Sequence, residues 1–138
     1  MERTVAYERH TPLGFAEVLS RLGSELQARG FGTLADLRVH QILKEKIGVE
    51  RPPMAILEVC SPRYADRALT IEPASALFLP CKIVVRAEGA GARVELLRPR
   101  PLMAMFEAPP DLLRVAEEVE PLLVAAVDAA AGAPARKD

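Results

Sequence analysis

The sequence carries little net charge, little cysteine and little histidine, and each shortage excludes a class of function. Its 18 basic and 19 acidic residues give a formal net charge of −1, which provides no field of one sign to attract nucleic acid or a membrane surface. Two cysteines are too few for a secreted disulfide scaffold. Two histidines offer no closely spaced ligands for zinc. The sequence therefore predicts no nucleic-acid partner, no metal and no cofactor.

Long apolar runs are also missing. No run approaches the roughly 20 residues that a membrane-spanning helix needs, and the first residues lack the apolar core of a signal peptide. The 138 residues, with 50% hydrophobic and 27% charged side chains, are typical of one globular domain. We therefore expect a cytoplasmic protein with reduced thiols and no membrane contact. A single domain should occupy residues 1–128, followed by a flexible alanine-rich tail at 129–138.

What the sequence does contain is a pair of apolar runs of strand length, at 54–62 and 77–85, each with one cysteine beside a proline. Cys60 ends the first run and Cys81 begins the second. Because the two runs border the same short excursion, we expect them to pair as antiparallel neighbours. We therefore predict that the two thiols lie close together but remain unbonded in a reducing cytoplasm.

The alternation of side chains along each strand argues against contact between the two thiols. Cys81 shares a side with the core-like Ile83, whereas Cys60 shares a side with Ile56 and Glu58. Two residues on opposite faces of a sheet cannot meet unless a bulge or the bend at Pro80 resets the register.

Two long helices are predicted by single apolar stripes at spacings of three and four residues, over about 12–29 and 111–128. Thr11 and Pro12 resemble the start of the first helix, and Pro121 should kink the second or split it in two. Short helices are expected at 41–47 and 61–69, and strands at 3–9, 33–40 and 92–98. The apolar segment Leu102–Phe106 has no clear assignment.

Since strands follow one another after the first helix, the element order favours an α+β fold over a parallel α/β sheet. We expect an antiparallel sheet with the two long helices packed side by side on one face, and short helices in the connections.

The chain also resembles the DUF302 family of uncharacterised prokaryotic proteins. The resemblance spans about residues 12–100 and rests on a set of short matching segments: Gly30-Phe31-Gly32, Lys44 to Val49, Ile56 to Pro62, Ala65 with Ala68-Leu69, Glu72-Pro73 and Leu79 to Val85. It implies a TATA-binding-protein-like fold, in which two long helices pack on one face of a curved antiparallel sheet, and it suggests a homodimer. The family usually has Asn after each cysteine, where this chain has Ser61 and Lys82.

Four residues are candidates for a thiol or ligand-binding site. Cys60 precedes a predicted helix whose dipole would lower a thiol pKa, and Cys81 could share redox or electrophile chemistry with it. Both could equally be small buried hydrophobes. Glu58 lies inside an apolar strand and could be a general base or an ordinary surface carboxylate. Lys46 could contact an anion, or simply belong to a solvated helix face.

These features do not decide whether the protein is an enzyme. The first hypothesis is a homodimeric module that binds a small molecule or a partner without catalysis. The alternative is a thiol-dependent redox or electrophile-handling protein that uses Cys60 and Cys81. The apolar segment 102–106 supports association, because a monomer would leave it exposed.

Overall fold

A computed structural model describes residues 5–132 of the chain. In chain order the elements are β1 (Ala6–Thr11), α1 (Phe15–Ala28), β2 (Gly32–Arg38), α2 (Val39–Ile47), β3 (Met54–Cys60), α3 (Pro62–Ile71), a 3₁₀ helix (Pro73–Phe78), β4 (Cys81–Glu88), β5 (Gly91–Leu97), α4 (Pro99–Met105) and α5 (Pro110–Ala131).

The five strands form one open antiparallel sheet in the order β1-β5-β4-β3-β2. The predicted α+β class and the pairing of the two cysteine strands are therefore confirmed. A tight hairpin joins β4 to β5, and Gly89 there has a positive φ of 60°. The position of Gly91 also requires glycine, because a Cβ there would lie 2.1 Å from the carbonyl oxygen of Thr11.

The helices α1 and α5 cover one face of the sheet, as the single apolar stripes predicted. Each central strand alternates, so that every second side chain enters the core beneath these helices. The fully buried side chains of this core come from both layers and include Leu22, Leu26, Ile83, Val85, Val94, Leu96, Leu123 and Val127. This helix-covered face is the hydrophobic core of the protein.

The opposite face of the sheet is open and carries rows of paired charges. Lys82 Nζ lies 2.6 Å from Glu58 Oε2 across β4 and β3, and Arg86 Nε lies 3.0 Å from Glu95 Oε1 across β4 and β5. Arg93 binds Glu8 and Glu88 in the same way. Opposite charges on neighbouring strands satisfy one another.

The predicted starts of the first long helix and of the second cysteine strand are wrong. α1 begins at Phe15 with Gly14 as its N-cap, because Thr11 is the last residue of β1 and its hydroxyl accepts a hydrogen bond from the Leu13 amide. β4 begins at Cys81, since the preceding residues 73–78 form a 3₁₀ helix. The unassigned segment 102–106 falls largely within α4, where Met103 is buried against the core.

Pro121 does not split α5, which runs without a break for 22 residues. Proline removes the amide that would bind the carbonyl of Glu117. Both Pro121 and Glu117 are exposed, so water can satisfy that carbonyl, and the buried stripe on the other side of the helix holds the two halves together.

The last helix also extends past the predicted start of the tail. Ala130 and Ala131 are buried, and the guanidinium of Arg21 on α1 donates to the carbonyl oxygens of Ala129 and Ala130 at 3.2 Å. Alanine is the best helix former, and Arg21 satisfies carbonyls that the helix end leaves free. The rest of the predicted tail, residues 133–138, lies outside the described residues.

Candidate functional site

An apolar pocket lies at the end of the sheet where β3 ends and β4 begins. Its walls come from these two strand ends and from α3, α4, α5 and the residues around the 3₁₀ helix. The lining side chains are almost all hydrophobic: Phe31, Val59, Cys60, Ser61, Tyr64, Ala65, Ala68, Phe78, Leu79, Cys81, Pro99, Met103, Val115, Ala116 and Val119. None of them is charged, so the pocket offers no counter-ion to a charged guest.

The pocket is nearly filled by its own walls. Its volume is about 30 Å³, room for about two water molecules, whereas sites for drug-sized ligands measure about 300–1,000 Å³. A larger guest therefore requires the walls to move apart.

Aromatic side chains form two sides of this pocket. Phe31 and Tyr64 stack with ring centroids 6.4 Å apart. Phe78 meets Phe106 edge-to-face at 5.4 Å, which joins the 3₁₀ helix to the residue that ends α4. The sequence has only six Phe and Tyr residues, and three of them line this one pocket.

An exposed apolar rim lies beside the pocket, formed by Leu77, Met105 and Phe106. Their exposed fractions are 86%, 63% and 63%. Leu77 precedes the pocket residue Phe78 in the chain, and Phe106 contacts the same Phe78. Large apolar side chains left in water at two neighbouring elements mark a surface suited to an apolar guest.

The two cysteines both line the pocket and are not bonded to each other. They are also not cross-strand partners, because Cys81 lies opposite Val59 and Cys60 lies opposite Gly32. The offset of one residue is what the alternation of the two strands indicated. The prediction of unbonded thiols is confirmed, while a bonded or directly facing pair is excluded by this register.

Burial raises the pKa of both thiols. It is the cause of the raised pKa of Cys60 and the main cause of the raised pKa of Cys81, which reaches about 11. The nearby Cys60 and Glu58 raise the Cys81 pKa further, since negative charges beside a thiol disfavour the thiolate.

The expected effect of the α3 dipole on Cys60 is therefore outweighed. Ser61 is the N-cap of α3, although its side chain makes no capping hydrogen bond. The dipole should have lowered the Cys60 pKa, but desolvation moves it upward.

The other two candidate residues lie outside the pocket lining. Glu58 is on the open face, bound to Lys82, and this ion pair is the surface alternative that the sequence left open for it. Lys46 is exposed near the end of α2. The structure therefore brings together only Cys60 and Cys81.

Sequence reasoning missed most of the pocket lining. Met103, Phe78 and Val119 belong to three separate elements, and no local pattern places them together. One available signal was the concentration of scarce aromatic residues near the two cysteine strands.

Within residues 5–132, no group of three His, Cys, Asp or Glu side chains could hold a metal ion. No helix in the same described range is both long enough and apolar enough to cross a membrane.

Comparison with known proteins identifies the family. A family model described as "Domain of unknown function DUF302" matches residues 7–130. A crystal structure of an uncharacterized conserved DUF302 protein from Bacillus stearothermophilus superimposes with a TM-score of 0.84 at 34% identity, over 91% of this chain and 97% of that one. A search of curated proteins gives no match. The resemblance read from the short segments is confirmed, and the chain belongs to the DUF302 family.

Proposed function

We propose that this protein is a homodimeric module that binds a small neutral, apolar molecule in the pocket beside Cys60 and Cys81, and that it does so in the cytoplasm without catalysing a reaction. The observation that carries the proposal is the combination of an uncharged apolar pocket with the exposed rim of Leu77, Met105 and Phe106.

The absence of charge in the lining defines the class of ligand. A carboxylate, phosphate or amine buried there would lose its hydration and gain no partner. The exposed surface of the lining is almost entirely apolar, so a ligand gains hardly any hydrogen bonds there. The favoured ligand is therefore an aromatic or aliphatic body with few polar groups.

Entry of such a ligand would separate α4 from the 3₁₀ helix. The Phe78–Phe106 contact joins these two elements beside the pocket. Both elements are short, and Phe106 is largely exposed, so opening this side of the pocket sacrifices little buried surface. The ligand would replace the ring contact and cover part of the rim.

The test is a titration with the neutral fluorophore N-phenyl-1-naphthylamine, whose emission rises in apolar surroundings. The variant Ala116→Leu fills the pocket from α5, and we expect it to weaken binding about tenfold, the equivalent of about 1.4 kcal/mol. The control Ala16→Leu makes the same change on the exposed surface of α1, outside the pocket lining.

If circular dichroism shows that both variants are folded and they bind the probe with equal affinity, the probe binds outside the pocket and the proposal is overturned. A second variant, Leu77→Ala, trims the rim without touching the core. It should lower the affinity for the probe by a smaller factor than Ala116→Leu does, because an exposed contact buries less apolar area.

Thiol chemistry is the competing function, and the shared pocket position of Cys60 and Cys81 is the observation in its favour. The raised pKa values weigh against it, since the thiolate is the nucleophile. We expect a disulfide reagent at pH 7 to label Cys60 in Cys81→Ser slowly, and Cys81 in Cys60→Ser more slowly still. One fast thiol in the folded protein would favour the thiol function instead.

A further inference from the structure

We infer that the outer edge of β2, together with α2, is the surface through which two copies of this chain associate. The inference deepens the homodimer of the proposed function and rests on it. It is independent of the ligand pocket, which lies between other elements.

The first observation is the unpaired edge. In the described part of the chain β2 pairs only with β3 and forms one end of the sheet. All seven of its residues are exposed or half-buried, and Leu34 and Leu37 are 66% and 42% exposed. An edge strand presents free N–H and C=O groups that a second strand can pair with.

The second observation is that α2 follows this edge and buries none of its nine residues. Its apolar side chains Ile42 and Ile47 are exposed, as is the adjacent Val49. A helix this short is marginal in water, and an amphipathic helix normally gains stability by packing its apolar face. Half of the large hydrophobic side chains exposed in residues 5–132 lie on this β2–α2 surface.

Charge complementarity favours a second copy as the occupant. Asp36 and Arg38 are bound to each other on β2 through two hydrogen bonds of 2.8 and 2.9 Å. If two β2 strands pair antiparallel about a two-fold axis at Leu37, each Asp36 lies opposite the Arg38 of the other copy. The two Leu37 side chains then cover one another, and the interface uses the same residues from both sides, as a two-fold dimer requires.

The register with its axis one residue earlier is less favourable. An axis at Asp36 would place two carboxylates directly opposite each other, and like charges across strands are destabilising. The Leu37 axis is therefore the register that the charges select.

The experiment is sedimentation of the full chain at micromolar concentration with two single charge reversals. Wild type should sediment at twice the chain mass of 15.0 kDa. Asp36→Arg places two arginines opposite each other at both ends of the interface, and Arg38→Asp places two aspartates there. Each variant alone should associate at least about tenfold more weakly than wild type.

An equimolar mixture of the two variants is the decisive sample. Residues 36 and 38 of the mixed dimer always lie opposite a residue of the other charge, so the mixture should recover the dimer mass at a concentration where each variant alone is mainly monomeric. The pair within each strand is broken in both variants, so only pairing between chains explains a recovery. The control Glu118→Arg breaks an exposed ion pair with Arg67 elsewhere on the surface and should leave the mass unchanged.

The outcomes distinguish the homodimer itself from the surface through which it forms. A wild-type protein that stays at 15.0 kDa overturns both the homodimer and this surface, but leaves the pocket proposal to its own titration. A dimer that persists in both single variants overturns the surface and keeps the homodimer. Two monomeric variants whose mixture also stays monomeric overturn the Leu37 register and, with it, the inference.

Discussion

The two faces of the sheet place adjacent residues in opposite environments. On the helix-covered face Leu96 is fully buried beneath the helices. Its neighbour Leu97 is half-buried on the open face. The covered face gains its stability from apolar area, and the open face is held by exposed or half-exposed ion pairs such as Glu58–Lys82. Side chains on the two faces of one strand therefore contribute unequally to stability. Substitutions at adjacent positions of a strand can measure this difference in the free energy of unfolding.

The largest expected effect compares Leu96→Ala with Leu97→Ala. The first removes a buried side chain and leaves a cavity, and it should lower the free energy of unfolding by about 3 kcal/mol. The second removes a half-buried side chain whose place water can take, and it should lower the free energy of unfolding by about 1 kcal/mol or less. Urea denaturation of the two variants measures both values. Equal losses would show that the open face is covered in solution.

A smaller effect concerns Cys81 on the covered side. Its folded pKa of about 11 lies above the ordinary value of 9.0, so the folded state holds this proton more tightly than the unfolded chain. The stability this provides is complete below pH 9 and is lost as pH rises through about 11. At about 1.36 kcal/mol for each pKa unit, with allowance for partial exposure, the loss is about 2 kcal/mol.

The measurement is the difference in unfolding free energy between wild type and Cys81→Ala at pH 8 and at pH 11. Since the other titrating groups are present in both proteins, the advantage of wild type should shrink by about 2 kcal/mol over that range. A constant difference would mean that the Cys81 thiol ionises as it does in water.

The smallest expected effect tests the open face. A double-mutant cycle on Glu58→Gln and Lys82→Met should give a coupling free energy of about 0.5 kcal/mol, because the pair is partly solvated. The coupling should fall further at high salt, as screening predicts. A coupling above 2 kcal/mol would mean that this face is desolvated by a partner.

Much of the fold could be predicted because its signals are local. The alternation of residues 54–60 and 91–97 determines which side chains are buried, and a single apolar stripe marks each long helix. The predictions failed where a local signal had competing meanings. Thr11-Pro12 is typical of a helix start but follows directly from a strand, and Pro121 is tolerated because it falls on the exposed side of a long helix.

The candidate site was only half predictable. The sequence suggested that Cys60 and Cys81 lie close together because they border the same excursion of the chain, and both line the pocket. The rest of the pocket joins residues as distant as Phe31 and Val119, and their meeting depends on how α3, α4 and α5 pack at the end of the sheet. The sheet also decides the partner of Glu58, because the register of β3 and β4 places Lys82 opposite it.

The sequence by itself determined the class of fold, the pairing of the cysteine strands and the offset of one residue between Cys60 and Cys81, since strand alternation and helical spacing are properties of consecutive residues. Only the tertiary structure decided that the pKa values of both thiols are raised, that α2 buries no residue and that an apolar pocket lies beside an exposed rim. Burial, pKa and exposure depend on neighbours distant in the chain, and no local pattern encodes them.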